Sequence, residues 1–126
     1  TLIEEIMFFL ENRFLKPHKI YKLKSKDYLN RLFALGTFQK NKLVGVRFIK
    51  NSIDRHYFGV SVSKSSFPKA VDRNKIKRRM RSCYTQNISF FINSLPFGFY
   101  LFIYLSNEMS SRVSVLEDMK YLVKKI

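Results

Sequence analysis

The stretch DRNKIKRRMR, Asp72 to Arg81, sets the strongest limit on how this chain folds. Six cationic side chains fall within the nine residues after Asp72, and the only large apolar residues among them are Ile76 and Met80. On a helical wheel of ~100° per residue with Arg73 as origin, Lys77 and Arg81 fall at about 40° and 80°, and Asn74 and Arg78 at about 100° and 140°. Ile76, Met80, Cys83, Tyr84 and Phe91 gather between about 280° and 20°. The spacing predicts a helix with two usable sides: an apolar stripe that seats it on the domain, and a cationic stripe with an amide in its middle. Lys75 and Arg79 fall at about 200° and 240°, where they are expected to be solvated. Ile76 and Met80 hold the charge at a fixed angle, which a floppy basic tail would not need.

The charge has few local acids to balance it. From Lys64 to Arg81 there are eight basic residues and one acid, Asp72. Like charges three and four residues apart on a helix repel one another, and the whole chain, with 24 Lys and Arg against 9 Asp and Glu, carries +15. A polyanion would relieve that repulsion, so nucleic acid is the leading partner class, and neutralising several phosphates would make binding steeply salt-dependent. The competitors are an acidic protein and an anionic membrane surface. Against the membrane stand Glu4, Glu5 and Glu11 in the one N-terminal amphipathic segment, where a surface-bound helix is normally rich in Lys and Arg. No stretch reaches the ~18 apolar residues of a membrane span, and Glu4 and Glu5 occupy the place of a signal peptide's positive region. The nine acids are scattered, and the two histidines, His18 and His56, lie far apart in sequence, so nothing suggests a protein nuclease centre. A single cysteine, Cys83, forms no internal disulfide and fits a reducing, cytoplasmic setting.

Around the basic helix the pattern alternates between helical and strand spacing. Ile3, Ile6, Met7, Leu10 and Phe14 predict a short N-terminal helix over residues 2–15, ended by Lys16–His18. Residues 1–20 read as an N-terminal extension and 21–126 as the main domain. Ser25 is a candidate N-cap and Gly36 a candidate terminator for a helix whose apolar face is Tyr28, Leu29, Leu32 and Phe33. A short strand near Thr37–Gln39, then Lys42–Lys50 and His56–Ser63, read as strands, the latter pair joined by the polar turn Asn51–Arg55. The basic helix is expected to run from about Lys69 to Phe91, and Phe99–Leu105 follows as a buried strand. Ser111 or Ser114 opens a last helix, with Ser114 and Glu117 spaced as a capping box. The expected fold is α+β, a single sheet of about four strands packed by helices in the order α-β-β-β-α-β-α, preceded by the extra N-terminal helix. The segment Val60–Leu105 suits a parallel crossover unit.

The sequence VSVSKSSFPKAVDRNKIKRRMRSCY, Val60 to Tyr84, resembles the bacterial ribonuclease P protein component. That family has a strand ending V-S-K, then K/N-A-V-x-R-N-R-x-K-R-x-x-R on a long helix. Here the match is Lys69-Ala70-Val71, Arg73-Asn74, Lys77-Arg78 and Arg81. Lys75 stands where the family has the second Arg of R-N-R; charge is kept and the bidentate fork is lost. The resemblance covers about Tyr21 to Lys125.

The resemblance implies a division of labour. In this family the RNA subunit, with bound Mg²⁺, hydrolyses precursor transfer RNA to free its mature 5′ end, and the protein contributes RNA binding rather than a catalytic site. By position, Arg73, Asn74, Lys77, Arg78 and Arg81 are expected to meet RNA, with Lys64, Lys69 and Lys75 extending the surface. The single-stranded 5′ leader of the precursor is expected in a cleft between the sheet and the first helix, lined by Tyr28, Leu29, Phe33 and Phe48. The implied partners are the catalytic RNA and the precursor, with no membrane and no obligate protein partner. The alternative is a ribosomal or regulatory RNA-binding protein of related α+β fold.

Overall fold

Gly98–Tyr104 forms the central strand of a five-stranded sheet, and six of its seven residues are buried. A strand apolar at every position must be covered on both faces, and helices on both sides of the sheet do this. The computed structural model describes residues 2–4, 19–50 and 55–126. Its elements in chain order are β1 (Ile20–Lys22), α1 (Lys26–Leu35), β2 (Thr37–Lys40), β3 (Val44–Lys50), β4 (His56–Val62), α2 (Ala70–Thr85), α3 (Ile88–Ser94), β5 (Gly98–Tyr104) and α4 (Arg112–Lys125). The strands lie in the order β1-β4-β5-β3-β2. β4 runs parallel to both β1 and β5, while β3 is antiparallel to β5 and β2. The predicted parallel crossover from β4 through the basic helix to β5 is present, paired from His56↔Gly98 to Val62↔Tyr104.

Alternation along the strands divides the interior in two. Val44, Val46 and Phe48 of β3, Phe58 and Val62 of β4, and Tyr100, Phe102 and Tyr104 of β5 point to one face. There they meet Ile76, Met80, Cys83 and Tyr84 of α2, Phe91 of α3 and Val115, Met119, Leu122 and Val123 of α4. Phe99 and Leu101 point to the other face, joined by Leu23 and by Leu32 of α1, with Tyr28, Leu29, Ile49, Tyr57 and Ile103 packed around them. α1 therefore covers one face and α2–α4 the other. The buried carboxylate of Asp118 ties the layers at one end: its two oxygens accept from Asn41 Nδ2 at 2.7 Å and from the backbone N–H groups of Leu43 and Val44 at 2.9 Å each. Three donors meet the requirement of a buried charge.

Several expectations are corrected. The sheet has five strands rather than about four, because β1 is only three residues long, too short to show a period. The helix expected to run to Phe91 stops at Thr85 and restarts at Ile88. There the Asn87 side chain donates to the Cys83 carbonyl at 2.8 Å and Thr85 Oγ1 to that of Arg81 at 2.8 Å, competing for helical backbone acceptors. The last helix is capped by Ser111, whose Oγ accepts from Ser114 N–H at 3.2 Å, so the Ser114–Glu117 spacing is not a capping box. Ser25 caps α1 as expected. Gly36 ends that helix without a left-handed turn, at φ −72°; it is glycine because a Cβ would lie 2.2 Å from the Leu32 carbonyl oxygen. Of the predicted N-terminal helix, residues 2–4 are helical; its remainder and most of the Asn51–Arg55 turn lie outside the described residues.

Candidate nucleic-acid interface

The basic surface is built as the wheel implies. Ile76, Met80 and Cys83 are at most 1% exposed, and they fix α2 against β4 and β5. With that stripe buried, Asn74, Lys75, Arg78 and Arg81 are exposed and Lys77 is half-buried. Lys64 and Lys69 are exposed on the loop before the helix. Lys69 occupies the N-cap position, where its ammonium, having no acceptor, makes no capping bond. Two arginines behave differently. Arg73 is half-buried, and its Nη1 donates to the carbonyls of Phe67 and Pro68 at 2.8 Å each. It thus fastens the loop to the helix, and only the rest of its fork faces outward. Arg79 is half-buried rather than solvated, with Nη1 donating to the Ser110 carbonyl, which locks α2 to the segment before α4. Val71, 75% exposed, adds an apolar spot beside Asn74 and Arg78. A cavity of about 300 Å³ lined in part by Lys22, Lys24, Arg81 and Tyr84 carries the basic surface around the β1 edge of the sheet.

The α1 face carries aromatics instead. Tyr28 lies 4.7 Å from Phe99 and 5.4 Å from Tyr57 between ring centres, and Tyr21 lies 5.6 Å from Tyr57. Arg55 sits 4.8 Å over Tyr21 and donates to the Tyr57 hydroxyl at 3.4 Å, while Lys19 sits 4.8 Å over the same Tyr21 ring. Half-buried aromatic rings beside cations suit single-stranded RNA, whose bases stack on rings while its phosphates seek charge. Tyr28, Leu29 and Phe33, predicted to line a cleft here, are all on this side: Tyr28 and Leu29 are half-buried and Phe33 is 55% exposed.

Phe48 departs from the prediction. It is 7% exposed and lies in the main core, stacked 6.1 Å from Tyr100. It shares strand parity with Val44 and Val46, so the residue that faces α1 is its neighbour Arg47. Tyr21, Phe38, Arg47, Arg55 and Phe99 complete this face and were not predicted as site residues. The signal was present for Arg47, since a cation between apolar neighbours in VGVRFIK marks the open side of the strand.

Comparison with known proteins bears on the family and the fold. The ribonuclease P family model matches residues 18–126. A ribonuclease P protein component of Syntrophobacter fumaroxidans is 35% identical over 72 residues, covering 57% of this chain and 58% of that protein. One from Nitrosococcus oceani is 29% identical over 68 residues, covering 54% and 57%; the match thus spans less than two thirds of either curated relative. The RNase P protein of Thermotoga maritima superposes with a TM-score of 0.70 at 26% identity, over 83% of this chain and 96% of that one. The Staphylococcus aureus RNase P protein has the same fold, with a TM-score of 0.70 at 24% identity over 85% and 95%. A family match over residues 18–126, the shared fold and the motif from Lys69 to Arg81 together place this chain in the ribonuclease P protein family.

Proposed function

We propose that the chain is the protein subunit of ribonuclease P and acts by holding RNA in two places. The outward stripe of α2, with Asn74, Lys75, Lys77, Arg78, Arg81 and the free part of the Arg73 fork, binds the backbone of the catalytic RNA. Lys64 and Lys69 extend that grip from the loop. The α1 face, with Tyr28, Leu29, Phe33 and the Tyr21–Tyr57 pair, receives the single-stranded 5′ leader of precursor transfer RNA. Phosphodiester hydrolysis belongs to the RNA subunit and the Mg²⁺ it carries, and this chain contributes affinity and position.

The observation that carries this reading is the fixed angle of the charge: Ile76, Met80 and Cys83, buried to 1% or less, lie behind a cationic side on which Asn74, Lys75, Arg78 and Arg81 are exposed. Among the described residues no three His, Cys, Asp or Glu side chains are grouped to hold a metal ion, and the buried Asp118 carboxylate is already taken by three N–H donors. No step is therefore assigned to a metal held by the described residues. No helix among the described residues is long and apolar enough to cross a membrane.

The test is reconstitution with a bacterial ribonuclease P RNA at low Mg²⁺, measuring precursor cleavage. The chain is expected to stimulate it; no stimulation at any protein excess overturns the proposal. A purely structural or regulatory RNA-binding protein would bind without distinguishing precursor from mature transfer RNA when the catalytic RNA is present, whereas the leader reading expects the precursor to bind tighter.

A further inference from the structure

Arg47 is a cation set between apolar residues in the middle of β3, facing the α1 side. Its Nε is buried with no acceptor among the described residues. A donor left in that state costs stability, so the position is not optimised for the fold alone. The guanidinium carbon lies 5.4 Å from the ring centre of Phe33 and 5.4 Å from that of Phe38. Those rings are 55% and 39% exposed. Phe38 is the cross-strand partner of Arg47, and its ring lies across Gly45, where a Cβ would come within 2.7 Å of it. Residues from α1, β2 and β3 therefore converge, and a glycine clears the room.

Two unfinished features meet at this place: aromatic faces left in water, and a guanidinium whose Nε is enclosed, so that its Nη pair is the part of the fork a ligand can reach. A ligand that completes both needs a flat π surface and two adjacent acceptors in its own plane. A phosphate has acceptors and no π face; an aromatic side chain has the reverse. A purine base has both, and guanine sets O6 and N7 side by side, the pair an arginine fork takes most often. Unpaired RNA displays these edges to a protein.

We propose that Phe33, Phe38 and Arg47 form a guanine-reading site for single-stranded RNA on the sheet face opposite the basic helix. This rests on the leader-binding reading above and adds base selectivity to it.

The test uses holoenzyme assembled from the full chain and a ribonuclease P RNA. Precursors carry all-uridine leaders with one guanine walked through each position. At one position guanine is expected to tighten binding about tenfold over uridine, in line with a bidentate arginine contact. Replacing that guanine by 7-deazaguanine, which lacks the N7 acceptor, removes the gain. Arg47→Lys, which keeps the charge, and Phe38→Ala each bring the guanine and uridine leaders to within about twofold of each other, with thermal melts confirming that both variants fold. The proposal is overturned if no position prefers guanine, or if Arg47→Lys weakens every leader equally, as a phosphate contact would. Should the holoenzyme bind mature and precursor transfer RNA alike, leader binding itself fails; the base site is then decided by the free chain and short uridine oligomers with or without one guanine. A guanine preference lost in Arg47→Lys upholds it, and equal binding refutes it.

Discussion

The outward side of α2 and the sheet face under α1 are two surfaces suited to RNA, built in opposite ways. The first is one helix: its cations come from consecutive turns, and their angle is set by four buried residues of the same segment. The second is assembled across the sheet, from β1, α1, β2, β3, β4 and β5, and apart from Tyr28 and Phe33 of α1 each of its rings comes from a different element. A surface contained in one helix depends on that helix staying seated. A surface spread over strands depends on register, because a shift of one residue exchanges the two faces. The first offers charge and the second rings, which suits phosphates in one place and unstacked bases in the other.

The largest effects should come from the residues that hold these surfaces rather than from the surfaces. Ile76→Asp puts a carboxylate without partners into the core behind the cationic stripe, and is expected to destabilise the fold by about 4 kcal/mol. Circular dichroism and a thermal melt would register this as unfolding, not as a pure binding defect. Phe48→Ala belongs in the same class, at about 3–5 kcal/mol for a buried ring removed from the core. It sharpens the comparison directly: were Phe48 a cleft residue, its loss would leave the melt unchanged and weaken leader binding alone.

That substitution also shows where sequence reading stops. The basic helix, its buried stripe and the capping role of Ser25 are legible because each rests on a local period or a single cap residue, and the parallel β4–β5 pair because a strand–helix–strand unit returns to a parallel neighbour. The cleft was only half legible. Helical spacing puts Tyr28, Leu29 and Phe33 on one face of α1, and the family resemblance implies that this face and Phe48 line a cleft; for Phe48 strand parity decides otherwise. The parity was available, since Val44, Val46 and Phe48 alternate with Gly45, Arg47 and Ile49. The Tyr21–Tyr57 contact could not be read, because it needs the pairing of a three-residue strand with one more than thirty positions later. The wheel gives only the angle of Arg79, and its bond to the Ser110 carbonyl comes from a loop that no period describes.

Next in size are changes on the surfaces themselves, and they should separate. Phe33→Ala is expected to weaken precursor binding by about 1–3 kcal/mol if one base stacks there, with affinity for the catalytic RNA and the melt unchanged. Arg78→Ala should do the opposite. It should weaken assembly with the catalytic RNA, lower the salt slope of that binding by about one, and leave the preference for precursor over mature transfer RNA in place. Binding titrations at three or four salt concentrations read both. Equal effects of the two variants on both RNAs would mean that the faces do not work separately.

The smallest effect concerns the hidden side of the basic helix and its pH dependence. Cys83, Tyr84 and Tyr100 pack together behind α2, and burial pushes all three side chains above their ordinary pKa values, only partly offset by Arg112 and Arg79 at Cys83 and by Arg81 at Tyr84. A group whose folded pKa is raised contributes stability that is fully present below its unfolded pKa and is lost as pH rises toward the folded one. The chain is therefore expected to lose stability as pH climbs past about 8.5, where an unfolded thiol ionises, and further above about 10, where unfolded tyrosines do. Cys83→Ala should flatten the first part of that decline and leave the second, which urea melts between pH 7 and 10.5 would resolve. Iodoacetamide labelling of Cys83 should correspondingly be slow in the folded chain and fast in urea. Rapid labelling of folded protein at pH 8 would show that the apolar stripe of α2 is not closed against the sheet. The fixed angle of the cations, on which the contrast between the two faces depends, would then be lost with it.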